Sequence, residues 1–311
     1  MMRIVITSEL APDLVAELQN KHPELQLVFT TERELSQHLS EAEVLFVRRL
    51  TVEQLQQAPL LKMVQIPYAG MDQLPLAALQ ERGVLLANAR IHGETISELT
   101  LGMMIALTRS FAEIHRNQQQ HKWLRVPQQL LMGSTLALLG VGTIGGEIAK
   151  RAKCFGMKTL GFTLSGSSHP YIDESYSSNQ LILQVSRADF LVAACPLTQE
   201  THHLINQTIL QAMKPSAYIL NIGRGPVIDE AALIAALQAQ VIAGAALDVF
   251  EKEPLPVESP LWDMPNVLVF PHLAGNLEGN SRRAAQIFVE NVSNLLAGSP
   301  LTCAVDLSKG Y

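Results

Sequence analysis

Short apolar runs alternate with amphipathic stretches along most of the chain. Residues 3–7, 26–29, 44–47, 63–66 and 84–87 each read as a short strand, with helices or turns between them, the first helix over 13–20. Residues 94 to about 120 carry Ile96, Leu99, Met103, Leu107 and Phe111 at near-helical spacing, which predicts one long helix. A second alternating series runs from Thr135 to about Phe270. A final helix over 280–296 places Ala284, Ile287, Phe288, Asn291, Val292 and Leu295 on one side. Strands alternating with helices imply an α/β fold with parallel sheets covered on both faces. The first series and the last helix pair as one discontinuous domain, 1–97 with 277–311. The central series, 98–276, forms the other.

The central series opens on Leu139-Gly140-Val141-Gly142-Thr143-Ile144-Gly145-Gly146, between an apolar strand (135–139) and a helix (147–155). Strand, glycine turn, helix is the context in which G-x-G-x-x-G binds a dinucleotide. Gly140 permits the tight turn, Gly142 lets backbone approach a pyrophosphate, and Gly145 lets the helix pack close to the strand. Thr143 and Ile144 stand at the helix N-terminus, whose amides and positive dipole end face the phosphates.

An NAD site carries Asp or Glu at the end of the second strand, for the ribose 2′-OH. Here that strand, 158–162, ends at Thr163-Leu164-Ser165, and no acid is present. Repulsion of a 2′-phosphate is removed and hydroxyls are offered, but no Arg supplies attraction. The expectation is therefore NADP or NAD, with NADP slightly favoured. Asp173 and Glu174 lie farther on and read as loop residues.

Three further segments end strands of this series. Arg224 stands in Asn221-Ile222-Gly223-Arg224-Gly225, Glu253 follows Asp248-Val249-Phe250, and His272 stands in Pro271-His272-Leu273-Ala274-Gly275. Ligands of open α/β sheets bind beyond the carboxyl ends of strands, so these three side chains can converge on a ligand held by the glycine turn. Reduction of a carbonyl by a nicotinamide needs a proton for the developing alkoxide. A histidine suits that task, a carboxylate fixes its ring, and an arginine clamps a substrate carboxylate through two points.

Composition narrows the classes. With 311 residues, 48% of them hydrophobic, the chain can bury sizeable cores. A net charge of −6 argues against a nucleic-acid binder, and no apolar stretch is long enough to span a membrane. Cys154, Cys195 and Cys303 are far apart and form no metal or redox spacing. A cytoplasmic enzyme without a metal is expected.

These motifs, in this order and over nearly the whole chain, resemble the D-isomer-specific 2-hydroxyacid dehydrogenases. The matching stretches include 139–145, Phe155-Gly156-Met157, 196–201, 221–225, 246–254 and 271–275. The resemblance implies two Rossmann-like parallel-sheet domains: a discontinuous, flavodoxin-like substrate domain and a central NAD(P) domain. It implies that Arg224 binds the substrate carboxylate or carbonyl, that Glu253 supports the histidine, and that His272 is the acid/base. It implies cofactor contacts from Cys195, Pro196, Thr201, Ile222, Gly223, Ala274 and Gly275, with Asp248 on the nicotinamide carboxamide. Tyr68-Ala69-Gly70-Met71-Asp72 resembles the loop whose amides hold the substrate carboxylate, and Arg48 stands where relatives place a substrate-facing base. Residues 88–94 resemble the segment crossing between domains, and the helix after Gly93 resembles a dimer arm, so a homodimer is expected.

The wording around Arg90-Ile91-His92-Gly93 is similar to glyoxylate/hydroxypyruvate-type 2-ketoacid reductases. Ending at Tyr311, the chain is expected to lack the C-terminal regulatory domain of many phosphoglycerate dehydrogenases, though a short D-3-phosphoglycerate dehydrogenase stays open. So do an NAD(P)-binding sensor or corepressor without turnover, and a relative oxidising formate or phosphite. Cys195 reads as packing, because no partner base is evident.

Overall fold

A computed structural model describes residues 2–71 and 73–307; Asp72 of the glycine-containing substrate loop lies outside the described residues. The chain divides into two compact units, residues 1–92 with 278–311, and residues 93–277.

In the first unit, strands β1 (Arg3–Ile6), β2 (Gln26–Phe29), β3 (Val44–Phe46), β4 (Met63–Gln65) and β5 (Leu85–Ala87) form one sheet in the order β2-β1-β3-β4-β5. Every pairing is parallel. The inner strands β3 and β4 are buried throughout, which is why they read as unbroken apolar runs rather than alternating ones. The last helix, Asn280–Ala297, returns to this sheet: Phe288 stacks on Phe46 with ring centroids 4.4 Å apart, both fully buried. Truncating either ring to alanine would cost about 3–5 kcal/mol. Buried Asn291 then ties the terminal segment down, donating to Thr302 O at 2.9 Å and accepting from Thr302 N at 2.7 Å. The discontinuous domain is thus a matter of packing: the apolar side of the last helix has its partner in the first sheet.

In the second unit, β6 (Thr135–Leu139), β7 (Lys158–Thr163), β8 (Glu174–Ser177), β9 (Phe190–Ala193), β10 (Tyr218–Asn221), β11 (Gly244–Leu247) and β12 (Val267–Val269) form a seven-stranded parallel sheet. Its order, β12-β11-β10-β9-β6-β7-β8, reverses direction between β6 and β9. In open sheets that reversal opens the crevice where ligands bind.

Two expectations are corrected here. The long helix over 94–120 is two helices, Gly93–Thr108 and Phe111–Gln119. Thr108 turns its hydroxyl back onto Met104 O at 2.8 Å, and Ser110 takes a left-handed backbone (φ 53°) while donating to Pro127 O. Neither feature shows in hydrophobic spacing. Glu174 is not a loop residue either: it begins β8, while Asp173, in the bend before it as expected, accepts from Thr159 N at 2.9 Å and from Lys153 at 2.7 Å. The Lys153 ammonium holds the Asp173 carboxyl below its usual range. Glu174, paired with Arg187, is lowered to about 2. Among the described residues no helix is long and apolar enough to cross a membrane.

Candidate active site

The glycine turn leaves β6 at its carboxyl end. Gly140 sits at φ +94°, and a methyl built there would come 2.7 Å from Cys195 N, so only glycine fits beside β9. A methyl on Gly145 would meet Gly140 O at 2.1 Å, which holds the helix Thr143–Cys154 against the turn. Gly142, the N-cap, differs: nothing lies within 4 Å of its would-be Cβ. The two outer glycines are demanded by the fold itself, while the middle one faces open space in front of the helix amides. That open cradle, at the sheet's reversal point, fits a pyrophosphate.

Around it, Cys195 is buried, and burial pushes its thiol up to about 12, so it packs rather than reacts. Thr201 is buried too. Its hydroxyl donates to Pro196 O at 2.8 Å and accepts from Thr198 N at 2.7 Å, closing its own turn. At the end of β7, Thr163 Oγ1 accepts from Ser167 N at 3.1 Å, and Leu164 and Ser165 are exposed.

Arg224 follows β10 in an extended backbone. Asn221, 1% exposed, shapes its loop: Nδ2 donates to Arg224 O at 3.0 Å and Oδ1 accepts from Gly223 N at 3.2 Å. A methyl on Gly223 would press on Cys195 O at 2.8 Å, and one on Gly225 would overlap Phe250 C at 1.9 Å. Arg224 is therefore held between the end of β9 and the turn after β11. Sequence reading had quoted Asn221 without a role. Its signal was present in retrospect, an Asn two residues before a glycine at a strand end.

The turn after β11 brings Glu253 under His272. Glu253 Oε1 accepts from Phe250 N at 3.0 Å, and Oε2 lies 2.6 Å from His272 Nδ1. A carboxylate can only accept, so Nδ1 carries the proton of that bond. Nε2 then has no partner among the described residues, on a side chain 52% exposed. His272 adopts a left-handed backbone, φ 52°, unusual for a non-glycine residue. Asp248 accounts for it. This residue, 1% exposed, accepts Leu273 N at 2.8 Å and Ala274 N at 3.0 Å on its two carboxylate oxygens, and His272 N at 2.9 Å on its backbone carbonyl. Burial raises its carboxyl above the usual range. Three successive amides thus hang on one residue, a role that motif reading did not suggest.

The first unit holds the remaining expected residues. In the loop after β4, Ala69 O accepts from Nδ2 of Asn88, which follows β5, at 3.0 Å; Gly70 is partly exposed, and Met71 turns its side chain into the core. Arg48, after β3, is exposed; its N–H donates to Glu32 at 3.3 Å, and Glu32 also pairs with Arg49 at 3.6 Å. Among the described residues no His, Cys, Asp and Glu group is arranged to hold a metal.

A parallel sheet whose carboxyl edge offers a dinucleotide cradle after β6 and a carboxylate-backed imidazole after β11 and β12 is built for nicotinamide-dependent oxidation and reduction. Comparison with known proteins makes this specific. Residues 101–274 match the family described as D-isomer specific 2-hydroxyacid dehydrogenase, NAD binding domain. A glyoxylate/hydroxypyruvate reductase B of Citrobacter koseri is 33% identical, over 95% of each chain. A D-3-phosphoglycerate dehydrogenase of Methanocaldococcus jannaschii is 32% identical over 96% of this chain, which spans only 58% of that longer protein. The crystal structure of a D-isomer specific 2-hydroxyacid dehydrogenase from Xanthobacter autotrophicus Py2, in complex with NADPH and MES, superposes with a TM-score of 0.87 at 30% identity, covering 100% of this chain and 99% of that one. The protein belongs to the D-isomer specific 2-hydroxyacid dehydrogenase family, and its fold is the pair of Rossmann-like parallel-sheet units that the resemblance implied.

Proposed function

We propose that this protein moves a hydride between NAD(P) and C2 of a small 2-keto or 2-hydroxy acid. The observation that carries the reading is the 2.6 Å pair of His272 Nδ1 and Glu253 Oε2, at the same carboxyl edge of the sheet as the cradle. The guanidinium of Arg224 holds the substrate carboxylate and polarises the neighbouring carbonyl. A bound nicotinamide supplies the hydride in reduction and accepts it in oxidation. His272 gives its Nε2 proton to the carbonyl oxygen in one direction and withdraws it in the other. Glu253 holds the ring in place through Nδ1. Asp248 keeps the segment 272–274 in place and has lone pairs left for the cofactor carboxamide. Gly140, Gly142, Thr143, Ile144 and Gly145 cradle the pyrophosphate, with Cys195, Pro196, Ile222, Gly223, Ala274 and Gly275 lining its course.

Reduction of glyoxylate or hydroxypyruvate is the leading substrate assignment, supported by the name of the Citrobacter relative. A phosphorylated 2-hydroxy acid is the second, supported by the Methanocaldococcus relative. Steady-state rates for glyoxylate, hydroxypyruvate and a phosphorylated 2-keto acid, each with NADH and NADPH, decide between them. No turnover on any 2-keto acid, with nucleotide binding intact, would return the protein to a sensor role.

The protein works as a homodimer in the cytoplasm, where its three free cysteines stay reduced. Support for the dimer is an exposed apolar surface on and after the second arm helix: Phe111, Ile114, Trp123 (99% exposed), Leu124, Leu130 and Met132. Sedimentation equilibrium giving a monomer mass would exclude the dimer.

Glu253→Gln will lower kcat for 2-ketoacid reduction about tenfold and leave NAD(P)H affinity within about twofold. A charge-assisted bond at 2.6 Å that holds the ring and aims Nε2 becomes a neutral one. Steady-state kinetics beside a cofactor titration measure both, and an unchanged kcat would break the pairing.

A further inference from the structure

The crossover from β7 to β8 presents a side chain with no task in the chemistry above. After Thr163 the chain runs past Ser165, Ser167 and Ser168 and then drops along the helix Thr143–Cys154. It rejoins the sheet where Thr159 Oγ1 donates to Tyr171 O at 2.9 Å. His169 marks where this crossover meets the first turn of that helix. A methyl on Gly146 would come 2.6 Å from His169 Nε2 and 2.8 Å from Cε1, so the ring lies directly on the helix backbone. Any side chain at position 146 would push it away. Tyr171 N donates to His169 Nδ1 at 3.4 Å, which places the proton of the neutral ring on Nε2. That donor has no hydrogen-bond partner among the described residues, and the side chain is half-buried.

The setting suits an anion. The helix begins here with its positive end, and the crossover that carries His169 also carries Thr163, Ser165, Ser167 and Ser168. The acids at the start of β8 are committed elsewhere, Asp173 to Lys153 and Thr159, Glu174 to Arg187. Building on the dinucleotide reading of the glycine turn, we propose that His169 is the residue that recognises the cofactor's 2′-phosphate, through an Nε2–H donor seated on Gly146. It supplies the attraction that the missing arginine leaves wanting, and a hydrogen bond to so charged an acceptor is a strong one.

Equilibrium binding tests this without turnover. Titrate the intact protein with 2′,5′-ADP, 5′-AMP, NADPH and NADH, following intrinsic fluorescence or heat. The unmodified protein will bind 2′,5′-ADP more tightly than 5′-AMP. His169→Phe, which keeps a ring on Gly146 but removes the donor, will weaken 2′,5′-ADP and NADPH about tenfold and leave 5′-AMP and NADH within about twofold. His169→Gln, which restores a donor, will recover part of the preference, and Gly146→Ala, which displaces the ring, will lose it. Equal affinity of the unmodified protein for 2′,5′-ADP and 5′-AMP, or an unchanged ratio in His169→Phe, overturns the assignment while the dinucleotide reading stands. Failure of all four ligands to bind the unmodified protein overturns both.

Discussion

Replacing His272 by glutamine will lower the rate of 2-ketoacid reduction by roughly 10²–10⁴, the scale of a lost general acid, and leave NAD(P)H affinity within about twofold. The expectation rests on what each ring nitrogen does. Nδ1 is spent on Glu253 at 2.6 Å, so Nε2 alone is left to exchange a proton with substrate. Glutamine can occupy the space and bond Glu253, but it has no proton to give at neutral pH. The amides of Leu273 and Ala274 are held by Asp248 and not by the side chain at 272, so the proposed cofactor contacts of this segment should survive the change. Turnover and binding should therefore separate. Single-turnover rates with a saturating 2-keto acid, alongside a fluorescence titration of NADPH, measure the two independently. A variant that reduces substrate at the unmodified rate removes His272 from the chemistry. One that loses both properties together shows a collapsed segment instead, and His272→Asn would then be needed to keep the test.

The parts of this molecule that were legible in its sequence are those where one physical requirement dominates. Inner parallel strands must be apolar on both faces, so β6 was legible over its whole length, Thr135–Leu139. The glycine turn was legible because close backbone approach leaves no choice of residue at Gly140 and Gly145. Strand β8, Glu-Ser-Tyr-Ser, was not: it is an edge strand, partly exposed, with no apolar run to betray it. The arm helix was misread as continuous because a left-handed Ser110 leaves hydrophobic spacing intact across the break. At the site, strand ends and motif wording picked out Arg224, Glu253 and His272, and the resemblance implied that Glu253 supports the histidine; the 2.6 Å contact between two residues 19 apart belongs to the fold. Asp248 was seen as a cofactor contact, while its hold on three amides of the histidine segment depends on β11 and β12 lying side by side. His169 carried no signal, since its partner is the bare backbone of a glycine in another element.

Arg224→Lys will cost roughly 10- to 100-fold in kcat/KM on any 2-keto acid that the protein reduces, although the charge is kept. A carboxylate beside a carbonyl needs two donors in a fixed plane, and a guanidinium provides that fork where an ammonium provides a mobile point charge. The scaffold around position 224 is built to hold such a fork still. Asn221 pins the backbone on one side, and the close approaches of Gly223 to Cys195 and of Gly225 to Phe250 leave the loop no room to follow a shorter side chain. Losing one charge-assisted hydrogen bond is worth about 1.5–3 kcal/mol, which is the stated range. In the proposed role the arginine both holds substrate and stabilises charge growing on the carbonyl oxygen, so KM should rise and kcat should fall together. Binding of NADPH, which does not use the fork, should stay unchanged. Steady-state kinetics of the lysine variant, with Arg224→Gln beside it to remove the charge altogether, give the comparison. A lysine variant with near-normal kcat/KM would mean that the carboxylate is held by other groups, and that Arg224 only neutralises charge in its neighbourhood.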